Sequence, residues 1–328
     1  MLSHKHILVT GATGFIGGRL AQRLAQEEGA IVTGTGRNLS KVPFLAASGV
    51  TLQAVDLLDE AGMKGVLAGQ EIVFHVAAWL GRQGGPSQAE AFNVTATALA
   101  VKLAAAHGVK RFVHVSSIAA YGLPTRPTIS EDNPVDNQQK DLYGRTKAEG
   151  EIQARQLAQS AGMELTIIRP GMVYGPRAMG WSVNMLQLVQ KRVPVIFNQG
   201  QGHAYPIYID NLIDGLILAA THPAAANEAF NFCDPVVTFR DWFGYYGRMC
   251  GRNPVSMPLF VARVFIWISE TFSLRLPLTR ERLNYFLLQS DFPATKAQHL
   301  LGYRPQVTIE EGMHRTEAWL RQEGYLKR

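Results

Sequence analysis

HILVTGATGFIGGRL, residues 6–20, decides how this chain folds. Its first five residues are apolar and β-branched enough for a short buried strand. Gly11, Gly14 and Gly17 follow, and Phe15, Ile16, Leu20 and Leu24 then recur at helical spacing. Strand, glycine turn and helix in that order form a dinucleotide-binding fingerprint. Gly11 permits the tight turn, Gly14 lets backbone approach a pyrophosphate, and Gly17 lets the helix lie close to the strand. The helix start adds free N–H groups and a positive dipole end for phosphates. A glycine turn without a ligand is the plainer alternative, and the flanking strand and helix weigh against it.

Outward from this segment, strand-like runs alternate with helical patterns: HILVT, AIVTG, TLQAVD, EIVFHVAA, RFVHVSS and ELTIIRP, with helices near 15–28, 86–107 and 139–160. Such alternation predicts an α/β fold, a Rossmann-type doubly wound parallel sheet with ligands at the carboxyl edge of the strands. After Pro170 the pattern breaks into pieces rich in Pro, Gly and aromatics. The expected division is a dinucleotide-binding domain over 1–170 and a smaller C-terminal lobe, mainly substrate-binding, over 171–328. No repeat or low-complexity tract interrupts it.

DLYGRTKAE, residues 141–149, carries the chemistry. Tyr143 and Lys147 are four apart, so a helix places both on one face. A phenol with a pKa near ~10 is a poor acid at neutral pH, and a neighbouring ammonium is expected to pull it down. Taken alone, the pair also reads as a solvated helix face. Ser116 and Ser117 end the strand RFVHV at the edge where ligands bind, and either hydroxyl suits a reacting oxygen or a helix cap.

The 328 residues are 47% hydrophobic and carry a formal net charge of +6. From Arg240 onward thirteen Lys/Arg stand against eight Asp/Glu. No basic run interleaves with aromatics, so a nucleic-acid groove is not expected. Cys233 and Cys250 lack metal-ligand spacing, so neither a metal site nor a disulfide framework is expected. Residues 1–6 run straight into the first strand, which predicts no signal peptide and a cytoplasmic location. The longest apolar stretch, Met257 to Ile268, is too short for the ~20 residues that cross a bilayer. Burial or pocket lining is its ordinary reading, and peripheral contact with a membrane surface is the other.

TGATGFIG (10–17), VHVSSIAAYG (113–122), Tyr143-x-x-x-Lys147, RPGMVYGP (169–176), YIDNLIDGLILA (208–219) and TKAQHLLGYRPQVTIEEGM (295–313) occur in one order. Together they resemble the extended short-chain dehydrogenase/reductase family over nearly the whole chain. The resemblance implies that segments near 203–232 return to the first domain, and it selects Ser117, four residues before Tyr121, as the catalytic hydroxyl. It implies Ser117, Tyr143 and Lys147 as the catalytic set. Tyr143 moves the proton on substrate oxygen, Lys147 also holds the nicotinamide ribose, and Ser117 steadies the substrate. The implied cofactor contacts are Gly11, Thr13, Gly14, Phe15, Ile16, Gly17, Arg37, Asp56, Leu57, Ala77, Tyr143, Lys147 and Pro170. Asn93, in FNVTAT, resembles a supporting helix position, and an ordinary helix residue is an equal reading.

AIVTGTGRN ends without the acid that would bind a ribose 2′-hydroxyl. Arg37 stands there, and its fork suits a 2′-phosphate, so the expected cofactor is NADP, with NAD as the alternative. Sugar-nucleotide members of the family place Asn where Met172 stands and Arg where Ala204 stands. Those departures, with Met179, Trp181, Trp242, Phe243, Phe260 and Trp267, favour a small hydrophobic alcohol or ketone. The expected activity is therefore an NAD(P)-dependent oxidoreductase resembling 3β-hydroxysteroid dehydrogenases and dihydroflavonol reductases. The alternatives are a nucleotide-sugar epimerase or dehydratase, and a dinucleotide-binding sensor without turnover. TATALAVKLAAAH, residues 95–107, fits either a homodimer contact or burial within one chain.

Overall fold

The structure, a computed structural model, describes residues 2–81, 84–272, 274 and 278–326. Seven strands build its central sheet: β1 (His6–Thr10), β2 (Ile31–Gly36), β3 (Thr51–Ala54), β4 (Ile72–His75), β5 (Arg111–Val115), β6 (Glu164–Pro170) and β7 (Ala229–Phe232). Their order in space is β7-β6-β5-β4-β1-β2-β3, and every pairing is parallel. The order reverses between β1 and β4, which opens a crevice at their carboxyl ends. β6 occupies the span read from the sequence; β3, β4 and β5 stop two or three residues short of their runs, and β2 runs two residues past AIVTG.

These strands are apolar on both faces because both faces are covered. The helices α1 (Phe15–Gln26), α2 (Glu60–Leu67), α3 (Ala96–Ala106), α4 (Leu142–Ala161) and α5 (Ile209–Thr221) supply the cover. Ile7, Val9, Phe74 and Val113 join the core under α1 and α5, while Leu8, Val73 and Phe112 join the one under α2 and α3. Each such side chain, fully buried, stabilises the fold by about 1.5–3 kcal/mol. Asp141 caps α4, accepting from the Gly144 N–H at 2.7 Å, and Gly162 ends it in the left-handed conformation. Ala96, Ala100, Val101 and Ala104 are buried inside the chain, so burial within one copy accounts for the alanine-rich face of α3.

Most of residues 172–206 and 237–326 form shorter elements beside this sheet. Residues Pro194–Phe197 pair with Val255–Met257, and His203–Ala204 with Val237–Thr238. The apolar stretch 257–268 departs from its ordinary reading. Most of it lies in α6 (Leu259–Thr271), where only Ala262 and Ile266 are buried. No described helix is long and apolar enough to cross a membrane.

Candidate active site

The candidate site is built by β1, β4, β5 and α4. Ser117 follows β5, and its hydroxyl accepts from the Ala119 N–H at 3.1 Å, capping a turn over Ile118–Tyr121. The same hydroxyl lies close enough to the phenol of Tyr143, in the first turn of α4, to lower its pKa. Lys147, 1% exposed, donates from Nζ to the Val115 carbonyl at 2.6 Å. The three residues therefore converge where β5 ends.

Their electrostatics differ from the expectation. Burial pushes the Tyr143 phenol up to about 12; the Ser117 hydrogen bond lowers it and Asp141 raises it. Lys147, whose Nζ donates to the Val115 carbonyl, is not among the groups that lower it. Burial pushes Lys147 itself down to about 8, with Glu151, one helical turn on, opposing that shift. At neutral pH the phenol thus holds its proton and can donate it to an oxygen.

Asn93 is more than an ordinary helix residue. It is 1% exposed on an irregular turn, Ala91–Thr95. Its Oδ1 accepts from the Trp79 N–H at 2.8 Å, and its Nδ2 donates to Trp79 O at 3.3 Å and Thr146 Oγ1 at 3.0 Å. The loop after β4 is thereby tied to α4.

Around the glycine turn, Gly11 has φ +69° and lies so close to Ala77 that a side chain would strike its backbone. A side chain at Gly17 would strike the Gly11 carbonyl. Gly14 begins α1 without a side-chain cap, so the first-turn amides of Phe15, Ile16 and Gly17 have no competing side chain. Thr13 packs against Gly36 at the end of β2. Arg37 is exposed just beyond, its guanidinium 4.9 Å from the Phe92 ring centroid. Asp56 accepts from the Leu58 N–H at 3.0 Å, Leu57 is buried, and Pro170 closes β6.

Comparison with known proteins decides the family. The model of the NAD dependent epimerase/dehydratase family matches residues 7–233. The chain belongs to that family. A UDP-glucose 4-epimerase of Vibrio cholerae is 30% identical over 328 residues, covering 95% of this chain and 94% of that protein. A 3-beta-hydroxysteroid dehydrogenase of Mycolicibacterium neoaurum is 27% identical, covering 94% and 89%. The crystal structure of UDP-glucuronic acid 4-epimerase from Bacillus cereus in complex with NAD shares the fold, with a TM-score of 0.78, 22% identity and coverage of 97% and 99%.

A dinucleotide of the kind this epimerase/dehydratase family uses fits the turn, since close-packed glycines and uncapped amides leave room and donors for a pyrophosphate. Gly11, Gly14 and the first turn of α1 would hold it, and it would supply the ring that takes or gives the hydride. Of the residues read as favouring a hydrophobic substrate, Met172, Trp242 and Phe243 are buried in the core, and Ala204 is fully buried too. Met179, Phe260 and Trp267 face outward instead.

Several neighbours were not legible in the sequence. His75 and His114 stack side by side on β4 and β5, with ring centroids 5.6 Å apart. Burial pushes His75 down to about 3 and His114 well below the usual histidine range, so a neutral pair lies near Lys147. Arg169 forms a buried bidentate pair with Glu151 and donates to the Tyr121 hydroxyl. The Ser116 hydroxyl is buried without a partner among the described residues. Only pairing across the sheet brings these groups together. An open groove of about 430 Å³ lined by Glu131, Arg155, Arg169 and Lys296 lies behind α4, away from the glycine turn.

Proposed function

We propose that the chain catalyses NADP-dependent hydride transfer at a secondary alcohol or ketone carbon of a hydrophobic substrate. Ser117 orients the substrate oxygen, and Tyr143, protonated at neutral pH, gives up or takes back the proton there. Lys147 holds its charge near its own pKa and is the group that would reach a nicotinamide ribose. Arg37, at the end of β2 where no carboxylate stands, would grip the 2′-phosphate.

One observation carries the substrate class: loops at the carboxyl edge of the sheet carry exposed apolar side chains. Leu80 and Leu123, 67% and 47% exposed, sit on the loops that follow β4 and β5. Positions 172 and 204 agree, since buried Met172 and Ala204 offer a diphosphate no donor. A nucleotide-sugar epimerase is the second reading, favoured by the 30% identity to the Vibrio cholerae enzyme.

The test follows the absorbance of reduced nicotinamide while the chain is offered NADPH with steroid or aliphatic ketones, and separately UDP-glucose with NAD. Net consumption of NADPH with a ketone supports the reductase. UDP-galactose forming with no net change in cofactor would establish the epimerase instead. Tyr143→Phe lowers the turnover by about 10²–10⁴-fold, the usual contribution of a positioned acid. Unchanged biological activity in that variant would favour a sensor. Arg37→Ala raises KM for NADPH by about 10–100-fold, the worth of a charged hydrogen bond, and leaves KM for NADH alone.

A further inference from the structure

The longest apolar run of the sequence faces solvent on α6. Phe260 is 71% exposed, Trp267 61%, and Phe272, just past the helix, 66%. Val261, Val264, Ile268 and Leu274 are exposed as well. Positions 260, 264, 267, 268 and 271 share one helix face. The opposite face packs Ala262 and Ile266 against Phe197 and Leu283. At two-thirds exposure the three aromatic rings alone present on the order of 400 Å². That already matches the largest apolar patch of a typical monomer.

Charge selects the occupant. Exposed Arg263 borders the stripe. Residues 252–282 contain five arginines and two glutamates, and Glu270 is engaged by Arg280 at 2.7 Å. A second copy packing on this face by two-fold symmetry would set the patch against itself and bring like charges together. An anionic bilayer accepts both parts: rings enter the boundary of the acyl chains while guanidinium groups reach phosphate. The helix spans 13 residues, so it lies in the plane rather than across it. Glu270 also lies close enough to Lys140, three residues before Tyr143, for that lysine to lower its pKa.

We propose that α6 docks this chain on an anionic phospholipid surface. The inference goes beyond the proposed reaction and does not depend on it, because binding is read without turnover. The full chain is sedimented with phosphatidylcholine vesicles, with and without phosphatidylglycerol, at low and high salt. The expected result is at least tenfold stronger partition onto the anionic vesicles, weakening as salt rises. The double variant Phe260→Ser/Trp267→Ser loses partition tenfold or more while melting at or above the wild-type temperature. Arg263→Glu, which leaves the apolar stripe intact, weakens binding to anionic vesicles several-fold and leaves binding to phosphatidylcholine unchanged. Failure of the wild-type chain to bind, or equal binding by the double variant, would overturn the proposal. So would light scattering that shows a wild-type dimer abolished in the double variant, which assigns the face to a second copy.

Discussion

At the scale of single residues, Lys147 is where stability and chemistry pull apart. Its folded pKa of about 8 lies below the ordinary lysine value of 10.5. Between those values the folded chain binds fewer protons than the unfolded one, so this group's contribution to stability increases as pH rises through that window. Below pH 8 the buried ammonium costs roughly 3 kcal/mol relative to a neutral amine. Lys147→Met removes that cost and leaves the Val115 carbonyl without its donor, a loss of about 1–3 kcal/mol. The variant should be as stable as wild type or more so at pH 7, and inactive. Its advantage should shrink by about 3 kcal/mol toward pH 10.5 in denaturant titrations. A difference between the two chains that is flat with pH would refute the buried-ammonium account.

At the scale of elements, α4 works because it lies almost on the turn that carries Asn93. Gly150 makes this approach possible: a side chain there would strike the Asn93 carbonyl oxygen, a backbone atom that cannot swing away. Gly150→Ala should therefore push α4 from the 91–95 turn and cost about 1–3 kcal/mol, as overpacking does. Because Asn93 also holds the Trp79 backbone, turnover should fall by more than the loss of folded protein explains. Melting temperature and kcat measured on the same preparation check both parts. YxxxK spacing was legible as one helix face; the glycine three residues on was not legible as a contact, because its partner lies more than fifty positions away.

Across the whole molecule, one buried side chain joins α5 to the tail. Asn211 on α5 donates to the Asp234 carboxylate at 3.1 Å and to the Val307 carbonyl at 2.8 Å. Its Oδ1 accepts the N–H groups of Gln306 and Val307, each at 3.0 Å. Burial raises the Asp234 carboxyl to about 6, with the Tyr208 N–H and Asn211 opposing that shift. Asn211→Ala would leave several buried groups unsatisfied at once, a loss of roughly 3–5 kcal/mol. Hydrogen exchange should then quicken across residues 295–326 before it quickens in β1 or β4. Uniform quickening would show that the tail does not open as a separate unit. YIDNLIDGLILA marked this helix, yet nothing in its spacing announced four partners on two distant segments.

What the residues determined alone was local and periodic. Apolar runs covered on both faces specify parallel strands, three glycines specify a turn that backbone must approach, and a four-residue interval specifies a shared helix face. Each follows from the 2.0 and 3.6 periods of the backbone and from steric limits within a few residues. Only the tertiary structure decided the rest. Burial, which no local pattern measures, raises the phenol instead of lowering it and drives two histidines neutral. It also decides that Trp242 lies in the core while Trp267, equally apolar, faces out on α6. Desolvation depends on every atom packed around a group, and those atoms come from segments that meet only when the chain folds.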